Sequence, residues 1–336
     1  MDLGDLAGHE VNSRRKVLLA FGACAFLTPA ITFAQQRIAR IGFLSAASPS
    51  GYKNRTDAFI DGLRKLGYIE GKNLSIEWRF AEARYELLPD LAAELVRSKV
   101  DLIVAGSPPS VRAAQRATTT IPIVMVAVGD PLGDHFVASL SRPGGNITGF
   151  TNLNVDISAK LLQLLRTVLP KLSNAAILID PEQPENASFL ERIEAAAKTS
   201  GIKVAPLRTR SATEIETALG GIRGNRASAL VIPGAPLFLT QGPQIANLAL
   251  KNRLPTMFWS REPVESGGLM SYGQNPLEQF RRIASYADKI LKGAKAGDLP
   301  VEQATKFELV IDLKTAKALG IKISEAFLAR ADEVIQ

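Results

Sequence analysis

The sequence predicts an α/β protein built from two similar doubly wound parallel-sheet lobes joined by hinge strands. Three observations carry this. Short apolar runs alternate with amphipathic helices along the chain, the alternation restarts near residue 174, and the restarted half repeats the first in the same order.

In the first half, RIGFLSA reads as a strand and NRTDAFIDGLRKLGY as a helix with Phe59, Leu63 and Leu66 on one stripe. Strand NLSIEWRF, helix RYELLPDLAAELVRS, strand VDLIVAG, helix PPSVRAAQRAT and strand IPIVMVAV follow. Runs this apolar are buried on both faces, as in a parallel sheet with right-handed crossovers and helices on either side.

The second half reads NAAILIDP as a strand and ENASFLERIEAAAKTSG as a helix. IKVAPLR, TEIETALGGIRG, SALVIPG and LPTMFW continue the pattern. Phe59-Ile60-Asp61 has a counterpart in Phe189-Leu190-Glu191, and DLIVAGSP in SALVIPGAP. IPIVMVAVGDP pairs with LPTMFWSREP, including the acid-proline ending Glu262-Pro263. Four elements recurring in order imply two related lobes. SRPGGNITGFTN (141–152), GGLMSYGQNP (267–276) and TKFELVID are the expected crossings between them, which places the hinge there. The expected division is residues 1–34 as a leader, 35–149 with 276–336 as lobe one, and 150–275 as lobe two.

Length and composition fit this. At 336 residues the chain holds ample core for two lobes, and 46% apolar with 22% charged residues describes an ordinary globular protein. Only 6% of residues are aromatic, too few for a stacking platform on single-stranded nucleic acid. The net charge of +7 is spread out, with no basic block longer than Arg14-Arg15-Lys16, so it reads as a solvated surface and no nucleic-acid partner is expected.

SRRKVLLAFGACAFLTPAITFA has the order of a secretory signal: cations, an apolar stretch, then Thr32-Phe33-Ala34. Cleavage is expected after Ala34, with Ala30 as the alternative, and the mature protein is expected in the periplasm. Ser13-Arg14-Arg15-Lys16-Val17-Leu18 also resembles a twin-arginine signal, so the export route stays open. Cys24 is the only cysteine, and Phe21 stands where a lipobox has a Leu-like residue. The mature chain would have no thiol, disulfide or thiolate metal site.

The motifs of common enzymes are missing. No G-x-G-x-x-G follows a strand, and neither G-x-x-x-x-G-K-[ST] nor G-x-S-x-G occurs. The two histidines are His9, in the leader, and His135, which reads as a surface or capping residue. No metal-ligand spacing appears on any helix, so neither metal nor cofactor nor catalytic residue is expected.

Polar strand ends are what remain, and doubly wound sheets gather ligands beyond the carboxyl ends of their strands. Lobe one offers Ser45 and Ser48, Ser107 with Pro108, and Asp130. Lobe two offers Asp180, Pro233, Trp259, Glu262 and Tyr272. Hydroxyls and helix amino termini suit an anionic group, carboxylates suit an ammonium, and Trp259 with Tyr272 suit an apolar wall. Each has a plainer reading: Asp130 caps a helix beginning at Pro131, and Trp259 belongs to the core.

AFIDGLRKLGYIEGKNLSIEWRFAEARYELLPDLAAELV, SLSRPGGNITGF, EPVESGGLMSYG and LPVEQATKFELVIDLKTAKALGI resemble the ABC-transporter substrate-binding proteins that include tryptophan and tyrosine binders. The likeness spans nearly all of the chain after residue 38. It implies a periplasmic-binding-protein type I fold, a Venus-flytrap that closes two lobes on a small ligand, such as an amino acid or related carboxylate. It also implies delivery to an ABC permease by a monomeric protein, with Asp130 as a ligand anchor. Where relatives carry a polar-aromatic run, this chain has GAPLFLTQGPQ, and Phe238 is the residue expected to take that role. An α/β enzyme acting on a small metabolite, or a protein presenting its ligand to a sensor, are the alternatives.

Overall fold

The order of strands shows how the repeat was built. The computed structural model of the protein describes residues 38–222, 228–303 and 306–336. The predicted export signal, with His9 and Cys24, lies outside the described residues.

The first sheet contains β1 (Ala39–Ser45), β2 (Leu74–Phe80), β3 (Leu102–Ala105), β4 (Ile123–Val128) and β5 (Ile147–Thr151). Helices α1 (Pro49–Lys65), α2 (Leu88–Arg97) and α3 (Pro108–Ala117) connect its early strands. The second half brings α4 (Ser158–Val168), β6 (Asn174–Ile179), α5 (Pro184–Thr199), β7 (Lys203–Arg208) and α6 (Ala212–Gly220). After these come β8 (Leu230–Ile232), α7 (Pro236–Thr240), α8 (Gly242–Lys251), β9 (Thr256–Phe258), α9 (Glu262–Glu265) and β10 (Met270–Gln274). The chain ends with α10 (Pro276–Leu291), β11 (Glu302–Gln303), β12 (Phe307–Asp312), α11 (Leu313–Leu319), α12 (Glu325–Leu328) and β13 (Glu333–Ile335).

The first sheet runs β11-β5-β4-β3-β1-β2 and the second β13-β12-β10-β9-β8-β6-β7. Read from the far edge, both begin second strand, first, third, fourth, fifth. That is a doubly wound order with its switch point between the first and third strands. The strands pair in parallel except β10 with β12, which are antiparallel. The two-lobed α/β fold is therefore as the repeat predicted.

The last segment divides differently from the expectation that gave all of 276–336 to lobe one. Helix α10 packs on α1, and β11 joins the first sheet, but β12 and β13 belong to the second. Antiparallel register from Met270 with Ile311 to Gln274 with Phe307 fixes β12 there. The chain thus crosses between sheets after β5, after β10, and again between Gln303 and Phe307.

Local chemistry explains the elements that frame the cleft. Ser48 caps α1 by accepting from the Gly51 N–H at 3.1 Å, Pro49 occupies the first turn, and Arg64 and Lys65 lie in the last. Phe59 and Leu63 are fully buried on its stripe, whereas Leu66 is 41% exposed because the helix has ended one residue earlier. One apolar cluster runs from Phe43 and Phe59 through Leu237, Phe238 and Leu239 to Leu178 and Ile232, so it bridges both lobes. Two further clusters underlie the outer helices of each sheet. Ile38–Gln336 accordingly form one compact unit.

Candidate functional site

Both switch points open onto one cavity of about 390 Å³, including the part continuous with solvent. From the first sheet come Tyr52 and Arg55 after β1, Gly106, Ser107 and Pro108 after β3, and Ala127 on β4. Asn152 and Asn154 enter from the first crossing. The second sheet supplies Gln183 and Glu185 after β6, Gly234, Ala235, Pro236 and Leu239 after β8, and Trp259 after β9. This is where a doubly wound sheet binds ligands, met twice.

The wall at Ala127 is shaped by strain. Its φ is +59°, and the pairing of β4 with β5 shifts register between Met125 and Val128. A β-bulge with one left-handed non-glycine residue turns the end of β4 toward the cleft.

Four polar contacts join the lobes around the cavity. The Ser48 N–H donates to the Thr240 hydroxyl at 3.0 Å. Arg55 Nε donates to Glu262 at 2.8 Å, with side chains only 6% and 14% exposed. The Tyr85 hydroxyl donates to Asp180 at 2.6 Å, and the Gly129 N–H donates to Glu185 at 2.6 Å. A side chain at Gly129 would crowd Glu185 at 3.1 Å, so glycine is what allows that approach. At Gly234 an added Cβ would lie 2.6 Å from the Asn154 amide, and its absence gives Asn154 and Trp259 their room.

Burial works against the charge on both members of the Arg55–Glu262 pair. Their mutual attraction and hydrogen bond prevail, holding the Glu262 carboxyl below and the Arg55 guanidinium above the ordinary range. The guanidinium also lies 5.3 Å from the Tyr52 ring centre, a cation–π contact, and the Tyr52 hydroxyl donates to the Gly106 carbonyl. Arg55 Nη2 and Glu262 Oε2 are buried without a protein partner, as is Gln183 Nε2.

Asp180 and Glu185 behave differently. Burial pushes the Asp180 carboxyl up despite the Tyr85 hydroxyl and Glu182 N–H that hydrogen-bond it. Glu185 keeps part of its residue surface open, yet its carboxyl is enclosed, and burial pushes it up to about 7. The Gly129 N–H opposes that rise, and the negative charges of Asp134 and Asp130 add to it.

Of the residues singled out in the sequence, Ser107, Pro108 and Trp259 line the cavity. Ser45 and Ser48 are buried but do not line it: Ser45 accepts from the Ala47 N–H and Ser48 caps α1. Asp180 and Glu262 bridge the lobes beside it. Pro233 is buried next to Gly234 but does not line the cavity. Phe238 is wholly buried in the core rather than on the wall, because the one-turn α7 presents Pro236 and Leu239 instead. Tyr272 stacks on Phe307 at 5.6 Å, away from the cavity, because β10 turns it toward β12.

Asp130 is exposed, and its carboxylate accepts from the Gly133 N–H at 2.8 Å. It closes a turn over Pro131, Leu132 and Gly133, where no helix begins, and Asp130 is not among the residues that line the cavity. His135 is likewise an exposed turn residue whose carbonyl accepts from Gln115.

Tyr52, Arg55, Asn152, Asn154, Gln183 and Glu185 were missed. Arg55 had a signal: three residues after Tyr52 and four before Phe59, it is an arginine on the buried stripe of α1. Glu185 sits in the first turn of a helix that follows a strand, as anion and cation sites often do, but nothing distinguished it from Glu182.

A two-sheet cleft with paired switch points defines a ligand-binding protein of the periplasmic-binding-protein type I fold. The chain belongs to the ABC transporter substrate-binding protein family, whose family model matches residues 40–335. A tyrosine-binding protein of Clostridioides difficile (strain R20291) is 29% identical over 265 residues, 79% of this chain and 76% of the relative. The ABC domain from Streptococcus pneumonia, solved in complex with L-Trp, is 26% identical. It superimposes with a TM-score of 0.81 over 88% of this chain and 99% of its own. The ligand-free, open structure of a Clostridium difficile substrate-binding protein with adhesive properties is also 26% identical and covers 89% and 100%, but its TM-score is 0.63. Among the described residues no helix is long and apolar enough to cross a membrane, and no three or more His, Cys, Asp or Glu gather as a metal site.

Proposed function

We propose that this chain is the solute-binding component of an ABC importer, which closes two lobes on an amino acid or related small carboxylate and presents it to a membrane permease. The observation that carries this is Arg55: a buried guanidinium in the interlobe cavity with one nitrogen, Nη2, free of protein partners. A carboxylate is the ligand group that such a fork receives, and Gln183 Nε2 and the Ser107 hydroxyl line the same cavity.

Two observations support closure. At equal identity, the TM-score is 0.81 to the L-Trp complex and 0.63 to the open, ligand-free relative. The four interlobe contacts are the bonds that a closed form makes and an open form gives up. On this reading residues 38–151 with 276–303 form lobe one, and 152–275 with 306–336 form lobe two. The order of the first 34 residues supports export to the periplasm, and the missing catalytic motifs support a binding role over an enzymatic one.

A thermal-shift screen of the ligand-stripped protein against amino acids and small carboxylates tests the reading. A specific ligand at about one hundred times its Kd raises stability by about 2.7 kcal/mol. If the melting curve moves with no solute but the protein turns one over chemically, the enzymatic alternative stands instead.

A further inference from the structure

Glu185 is the charge in the cavity that the protein leaves unbalanced. Arg55 meets Glu262 through Nε, which leaves Nη2 for the ligand carboxylate. Among the described residues no lysine or arginine pairs with Glu185, which accepts only polar hydrogen bonds, from the Gly129 N–H and the Asn152 side chain. The lobe-one charges that push its carboxyl up are those of two acids, Asp134 and Asp130. Asp130 is turned onto Gly133, and Asp134 is held by Arg112 at 2.6 Å. That pairing occupies the Arg112 guanidinium, which also lies over the Phe136 ring, while His135 acts on Asp134. The amino end of α5 favours the Glu185 charge by only a fraction of what enclosure costs it.

We propose that Glu185 is the counter-charge for a protonated amine on the ligand, so that the cavity selects aminated carboxylates over the same acids without the amine. This rests on the solute-binding reading above and goes beyond it by naming the ligand's second charged group and the residue that reads it. Glu185 lines the cavity from lobe two while bonding Gly129 of lobe one. An ammonium there neutralises a carboxylate that closure would otherwise enclose as a bare charge, and so couples the ligand's positive end to closing.

The pH dependence follows. Without ligand, the closed form holds a proton on Glu185 up to about pH 7, so ligand-free closure is favoured as pH falls through that value. An ammonium ligand needs the ionised carboxylate. Its affinity therefore falls only where acid protonates Glu185 in the open, ligand-free protein, while the bound ammonium displaces the proton that the closed form otherwise holds.

The test is titration calorimetry of the purified protein with the common L-amino acids and, for each binder, the matching acid lacking the amine. The amine-free acid is expected to bind about thirty-fold or more weakly to wild type. Glu185→Gln, which keeps an oxygen that can accept from Gly129, is expected to weaken the amino acid by a similar factor and not to weaken the amine-free acid, which no longer closes over a bare charge. Should that variant fold poorly, the wild-type affinity ratio between each amino acid and its amine-free acid decides. Equal binding of both acids to wild type, or equal weakening of both by the substitution, overturns the proposal. Binding of amine-free carboxylates alone also overturns it and leaves the solute-binding reading standing, whereas binding of nothing removes both.

Discussion

Arg55→Met is expected to leave each lobe folded but hold the two apart, with ligand binding lost. Removing one partner of a buried ion pair strands the other, at a cost of about 3–5 kcal/mol. Here the stranded partner is Glu262, on the opposite side of the cleft from α1. A single-lobed protein would lose that free energy from its folding stability. A hinged one avoids it by opening, which returns Glu262 to water, so the closed population falls by a hundred-fold or more for about 3 kcal/mol. Arg55→Met with Glu262→Met puts two apolar side chains where the pair was and is expected to recover closure without recovering carboxylate affinity. Scattering and calorimetry on the three variants separate the two effects, and a large drop in melting temperature for Arg55→Met with lobes still closed contradicts the hinge. The carboxyl of Glu262 is held below its ordinary range, so the contribution of the pair is intact at neutral pH and lost only as pH falls through that lowered value.

Phe43→Ala is expected to produce the largest loss of folding stability, about 3–5 kcal/mol. The ring is fully buried on β1, with ring centres at 4.9 Å to Trp78, 6.0 Å to Phe80, and 6.1 Å to both Tyr52 and Phe59. Phe280, from the returning α10, completes the set at 6.4 Å. Truncation empties the place where the first strand, the first helix and the returning helix meet. It also removes the support of Tyr52, whose ring positions the Arg55 guanidinium, so affinity falls along with stability. Phe43→Leu, which refills most of the volume, is expected to cost markedly less in denaturant melts. Equal losses for the two substitutions would mean the site had collapsed around the smaller side chain.

The fold was legible because its signals are local and periodic. Runs such as IVMVAV need burial on both faces, and their spacing by amphipathic helices leaves a parallel sheet as the outcome. What periodicity does not encode is which sheet a late strand joins. FELVID is equally apolar in either, and only antiparallel pairing with MSYGQ decides. The candidate site was legible as a place but only partly as a chemistry. Ser107, Pro108 and Trp259 reach the cavity because strand ends at a switch point have nowhere else to face. Asp130 and Glu185 are both acids beside a proline near a strand end, yet a tight turn folds Asp130 onto Gly133 while a long helix carries Glu185 over the cavity. The path of the loop makes that difference, and single residues do not announce it. Arg55 was readable on the stripe of α1, and its partner Glu262 appeared in the sequence as a strand-end acid without indicating that the two meet across the cleft.

Small-angle scattering of the ligand-stripped protein, with and without a saturating amino acid that the screen identifies, tests closure of the two lobes on a solute. A smaller radius of gyration on binding is the expected result, with Arg55→Met keeping the larger value under both conditions. An unchanged curve for wild type at saturation, with binding verified in the same sample, would contradict the hinge and leave a rigid two-lobed protein with a fixed pocket.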